Sequence, residues 1–247
     1  MKTLVQISGN WSKCQVEILQ QYDLNTDMGC NTIFVEEEKL NENILQLLKE
    51  WKIFIARVVE FDKKEILESE YCLINQCREF GYPMPDSDFG YLKLTYSLGS
   101  DYCEMCNMNK SQKDDFLIKN LPKAKFWSLG WVYDEFFVDK ALYEIVFRPF
   151  GVACRSVRNY KNDTVIDSVV QLVIPDTDQP LDLSGYDYEV CPVCGKRKYH
   201  PAIKGFFPIQ ENPTLHMYKS RECFGSGGSA SKKVFVSAQL RDKMLEY

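Results

Sequence analysis

Two Cys-x-x-Cys pairs constrain this chain more than any other feature: Cys103-Glu-Met-Cys106 and Cys191-Pro-Val-Cys194. Each pair can present two sulfurs to one ion from a tight turn. Four soft ligands in tetrahedral geometry form a closed zinc site. Between the pairs lie residues 107–190, a stretch of 84. Closing so long a loop costs only logarithmically more than closing a short one, so the length does not forbid a shared ion. The expectation is one structural Zn2+ held by Cys103, Cys106, Cys191 and Cys194. Because cysteine fills every coordination position, no place is left for a catalytic water.

The residue after each pair matters to the bend. Gly195 follows the second pair, and its freedom lets the chain fold back onto the sulfurs. Asn107 follows the first, and asparagine is comparatively tolerant of left-handed backbone. The other six cysteines, Cys14, Cys30, Cys72, Cys77, Cys154 and Cys223, are scattered and read as free thiols, several of them buried. A chain of 247 residues that is 45% hydrophobic does not need disulfides to supplement a small core.

Charge limits the partners. Thirty basic against 35 acidic residues leave a net −5, which argues against a dedicated nucleic-acid surface. The densest basic run, Lys196-Arg197-Lys198, reads as a solvated edge of a metal loop. No apolar stretch approaches the ~18 residues of a membrane span, and the N-terminus lacks a secretion-type apolar segment. The default expectation is a cytoplasmic protein with no membrane association.

Hydrophobic periodicity predicts a mixed α+β fold with a zinc-ribbon-like knuckle arrangement. Leu40, Ile44, Leu47, Leu48 and Trp51 recur at helical spacing, predicting a helix over 37–52. A strand over 52–61 follows, then a helix started by Asp62 and Glu65 that reaches Cys77. A weaker strand is read near 3–7. The alternation over 90–96 predicts a strand leading into the first cysteine pair. A helix is expected over 134–147, and strands over 165–174, 186–190 and 233–236. Ser237 is placed to cap a last helix. Pro201, Gly205, Pro208 and Pro213 favour loops. The domain reading is an N-terminal helix-and-strand region, 1–98, and a zinc-stabilised region, 99–247, with 107–190 as an insertion.

Evidence for catalysis is thin. His200 and His216 are the only histidines, and pairing His216 with Cys223 has no support beyond proximity in sequence. The acidic run Glu36-Glu37-Glu38 suits a helix N-terminus. The glycine-rich stretch 224–230 lacks a phosphate-loop signature. The aromatic run Phe126, Trp127, Trp131, Tyr133, Phe136 and Phe137 is most simply core. Any part of it that is exposed, beside Asp134, Glu135 and Asp139, would form an acidic-rimmed patch for a basic protein partner.

Three pieces of the C-terminal part carry a family resemblance: Cys191-Pro-Val-Cys-Gly195, Ser220-Arg-Glu-Cys-Phe-Gly225 and Val234-Phe-Val-Ser-Ala238. In these the chain resembles the bacterial double-CXXCG protein family, although Asn107 stands where the first motif would carry glycine. Members of that family are associated with toxin–immunity systems. The resemblance implies an immunity protein that binds a bacterial toxin and neutralises it by occlusion, with metal roles on the four cysteines and no catalytic residue. The reading favoured here is therefore a stoichiometric protein-binding module. The alternatives are a hydrolase or transferase with an unrecognised site, or a nucleic-acid-associated zinc protein.

Overall fold

A computed structural model describes residues 1–74, 77–200, 206–211 and 213–247. Pro201 and Gly205, expected in loops, lie outside the described residues. The chain is mixed α+β and divides into two compact units. The first comprises residues 1–66 with 202–207, and the second comprises 67–201 with 208–247.

The first unit is a three-stranded antiparallel sheet. Its strands are β1 (Lys2–Trp11), β2 (Gly29–Glu36) and β3 (Phe54–Glu60), in the order β2-β1-β3. Helix α1 (Lys13–Gln20) follows β1, where Ser12 and Gln15 form a reciprocal capping box. Helix α2 (Glu42–Glu50) is shorter than the periodicity predicts. Glu37–Lys39 forms a separate 3₁₀ turn, and Asn41 caps the helix proper by accepting the Ile44 N–H. Val5, Ile7 and Trp11 of β1 are buried with Leu19, Ile44 and Leu48, which is the predicted stripe of α2 meeting the sheet. The Asp62–Glu65 capping box forms as expected and starts α3 (Lys63–Glu68).

That helix stops nine residues before the predicted end. The Arg241 guanidinium takes the Leu67 and Ser69 carbonyls at 2.8 and 2.7 Å, and Tyr71–Leu73 becomes strand β4 against Phe235–Ser237. A distant segment thus overrides the local helical pattern.

The remaining elements of the second unit can be given in chain order. Helix α4 (Tyr91–Thr95) leads into β5 (Tyr96–Cys103) and β6 (Met108–Gln112), followed by β7 (Phe116–Ile118), β8 (Phe126–Leu129) and β9 (Val132–Asp139). Helix α5 (Lys140–Leu142) continues as π and 3₁₀ turns to Phe150, and β10 (Ala153–Asn159) and β11 (Val165–Val173) form the next hairpin. Last come β12 (Tyr188–Val190), β13 (Arg197–Tyr199), β14 (Met217–Phe224), β15 (Ser231–Ser237) and α6 (Ala238–Met244). One five-stranded sheet runs β7-β10-β11-β9-β8, a second runs β12-β13-β14-β15-β4, and β5-β6 is a separate ribbon.

Two sequence expectations are corrected here. The strand expected over 90–96 begins as helix α4. Tyr91 and Thr95 are both buried, four residues apart on one helical face, and the strand starts only at Tyr96. The helix expected over 134–147 is strand β9 for its first half. Both faces of β9 are covered: Phe136 and Val138 pack with Val170, Met217 and Val234, while Phe137 packs with Phe116, Trp127 and Val157. A strand buried on both sides loses its alternation and cannot be distinguished from helix by period. At the C-terminus, Ser237 does cap α6, accepting the Leu240 N–H.

Candidate metal centre

Each cysteine pair sits at the tip of an antiparallel hairpin. The β5–β6 pairing closes at Cys103 opposite Met108, and the β12–β13 pairing closes at Val190 opposite Arg197. The two tips fold alike. The Asn107 N–H donates to the Cys103 carbonyl at 2.7 Å, and the Gly195 N–H donates to the Cys191 carbonyl at 2.9 Å. Both residues are left-handed, with φ of 56° at Asn107 and 73° at Gly195. Asparagine therefore takes the glycine role in the first knuckle, and its side-chain carbonyl also accepts the Tyr102 hydroxyl at 3.2 Å.

The hairpins bring all four sulfurs together, each within 4.8 Å of the others. Cys103 and Cys191 are separated by 3.7 Å at sulfur, and Cys106 and Cys194 by 3.5 Å. A disulfide is ruled out at these lengths, since its bond is about 2.05 Å. Zinc–thiolate bonds of about 2.3 Å in a tetrahedron set sulfurs about 3.8 Å apart, close to the observed spacing. Cys103, Cys106 and Cys191 are buried and Cys194 is half-buried. The four cysteines are therefore close enough to bind a metal ion, and the donor set fits a closed site.

The sulfurs differ electrostatically. The Cys194 and Val193 N–H groups donate to Cys191 and draw its thiol down to about 6. Burial pushes Cys106 up to about 12, reinforced by neighbouring thiols and opposed by the Met108 N–H. A cation at the centre favours the thiolate in both.

Around the sulfurs, the basic run is taken apart. Lys198 is buried rather than solvated, with its ammonium 2.5 Å from Glu189 and 3.4 Å from the Gly227 carbonyl. The Lys196 ammonium reaches across to the Asn109 side chain, so a hydrogen bond joins the two hairpins beside the sulfurs. Arg197 lies over the Tyr188 ring, 4.7 Å from its centroid. Glu189 balances the Lys198 ammonium first, and Cys106 and Cys191 further favour its charged form. Asn109 was not singled out from the sequence and Lys198 was read there as solvated; only the alternation along a short strand beside the cysteines could have suggested that Lys198 points inward.

Neither histidine joins the cysteine cluster. The His216 Nδ1 lies 2.8 Å from the Ser237 hydroxyl and its ring meets Phe150 edge-on. Cys223 is buried, and burial pushes its thiol up to about 11, which disfavours the nucleophilic thiolate. The acidic-rimmed aromatic patch is also corrected. Trp127, Phe136 and Phe137 are core, while Glu135 is bonded to Lys219 and Gln171, and Asp139 caps α5. Of that run Tyr133 is exposed, and Trp131 stacks among Tyr82, Phe89 and Tyr91.

All ten cysteines are free of disulfides; Cys14, Cys30 and Cys154 are exposed. Among the described residues, no helix is long and apolar enough to cross a membrane. No family model, curated protein or solved structure matches the chain.

Proposed function

We propose that this chain is a non-catalytic protein-binding module clamped by zinc, and that its partner is a bacterial toxin which it neutralises by occlusion in the cytoplasm. The observation that carries the structural role is the closure of the four-cysteine cluster. Two hairpins far apart in sequence supply every ligand, so metal binding free energy becomes folding free energy and no position stays open for substrate.

The toxin-binding part rests on the family resemblance. The three resembling pieces are neighbours in one sheet: the β12–β13 tip, the end of β14, and β15 with the start of α6. A shared sheet surface suits recognition better than turnover, and Cys223 within it is poorly disposed to attack.

The test begins with metal analysis of the purified chain, which is expected to give one zinc per molecule. A pull-down followed by titration of the purified pair is expected to saturate at equimolar ratio, with toxin activity falling in parallel. Substrate turnover by the isolated chain, with no toxin partner captured, would overturn the reading.

A further inference from the structure

Beside the metal centre the second unit carries a groove of about 840 Å³. Its walls include the residues that follow both knuckles, the start of β9, and the β14–β15 turn. Lys110, Lys196, Arg197 and Arg221 line it, and none of these four forms an ion pair with a carboxylate among the described residues. Of the other charges there, Lys232 pairs with Asp176 at 2.8 Å and Asp134 lies 3.9 Å from Lys219, while Asp101 and Glu222 form no ion pair among the described residues. A protein of net charge −5 thus gathers four cations without carboxylate partners in one concave place, held by neutral contacts: Lys196 to Asn109, Arg197 over Tyr188, Lys110 over Tyr96 and Arg221 to the Asp178 carbonyl.

Two further observations narrow the occupant. The Glu222 Oε2 is buried against this groove with no hydrogen-bond partner among the described residues, although its other oxygen accepts the Leu181 N–H at 3.3 Å. A buried acceptor without a donor costs free energy that a ligand N–H can recover. At the opposite chemical extreme, Trp131 and Tyr133 supply aromatic surface to the same lining. Trp131 sits at φ 69°, a left-handed backbone that a bulky residue rarely adopts. Strain of this kind concentrates where a side chain is held for a purpose.

We propose that this groove binds an extended acidic peptide segment of the protein partner. Carboxylates of the segment meet Arg221, Arg197, Lys196 and Lys110, a backbone N–H satisfies Glu222, and an apolar side chain rests on Trp131 and Tyr133. A nucleic-acid strand fits less well. Its phosphate backbone carries no N–H for Glu222, whereas a peptide backbone offers one at nearly every residue. The inference rests on the protein-binding reading and gives it a site.

The experiment uses the zinc-loaded full chain on an array of peptides graded from acidic to basic, with a single-stranded oligonucleotide as competitor. The expected result is enrichment of Asp- and Glu-containing peptides with an aromatic or large aliphatic residue. Arg221→Glu with Arg197→Glu should weaken the best of them by about tenfold or more, while exposed Lys140→Glu leaves binding unchanged. Trp131→Ala should weaken it as well, with zinc content and melting temperature checked for each variant. Selection of basic peptides, tighter binding of the oligonucleotide, or indifference to the arginine reversals would overturn the proposal. If the reversals leave capture of a folded protein partner intact, the groove falls and the binding-module reading stands. If no protein or peptide binds at all, both fall.

Discussion

The two units reach order by different routes. In the first, a sheet of three adjoining strands and two helices encloses Ile7, Trp11 and Leu48, and nearly all its chain is contiguous. In the second, strands from residue 71 to 237 must be gathered, and its knuckle region has a small core made of the cysteines themselves with Met108. Apolar burial suffices where the pattern is local. Where two short hairpins must meet across 84 residues with little apolar surface, the four clustered cysteines offer coordination for the closing role.

Removing the metal should break this comparison most sharply. Structural zinc binding is worth on the order of 10 kcal/mol in small domains. Chelation, or Cys106→Ser, is therefore expected to abolish metal content and expose the amides of β5, β6, β12 and β13 to hydrogen exchange, while those of Val5 and Ile7 stay protected. The reciprocal variant, Ile7→Ala, should destabilise the first unit by about 3 kcal/mol and leave one zinc per chain. Equal loss of protection in both units on chelation would contradict the division drawn here.

A second test lies at the buried charge pair of the larger unit. Burial alone would lower Lys219, but Asp134 and Glu135 outweigh it and hold the ammonium above its ordinary range. Lys219→Met leaves Glu135 buried and unpaired, an expected loss of about 4 kcal/mol near neutrality. Burial already raises Glu135 above the ordinary 4.5, and losing the lysine raises it further. A folded carboxyl that keeps its proton longer than the unfolded one makes stability fall as pH rises through that interval. The variant's deficit relative to the parent should thus be smallest below pH 4.5 and grow above it. Adding Glu135→Leu should recover much of the loss, read by denaturant unfolding across pH.

The smallest effects should come from the knuckle tips, where the two hairpins can be compared directly. Gly195→Ala forces a Cβ into left-handed backbone and should cost about 1 kcal/mol. Asn107→Gly should lie near neutral, because relief of the left-handed conformation offsets loss of the Tyr102 hydrogen bond. Metal-exchange kinetics and unfolding midpoints of the two variants would show whether the tips are energetically equivalent.

In the first unit α1 and β2 were not read from the sequence, but the stripe of α2, the Asp62 cap and the β-former-rich run of β3 each carry a local signature. Strand β9 did not, since Phe136, Phe137 and Val138 are all buried and their order mimics any apolar run. Helix α3 ended early because Arg241 captures carbonyls 172 to 174 residues away in sequence, and no local rule anticipates such a competitor.

At the candidate site, the cysteine spacing alone named the four cysteines that cluster and the left-handed residue that each turn needs, because those requirements are local to a few bonds. Only the tertiary structure decided that the sulfurs converge, that Lys198 turns inward beside them, and that cations without carboxylate partners, Trp131 and Glu222 share one groove. Convergence depends on how sheets pack and register over long separations, and those energies reside in contacts between segments that carry no mark of each other in the sequence.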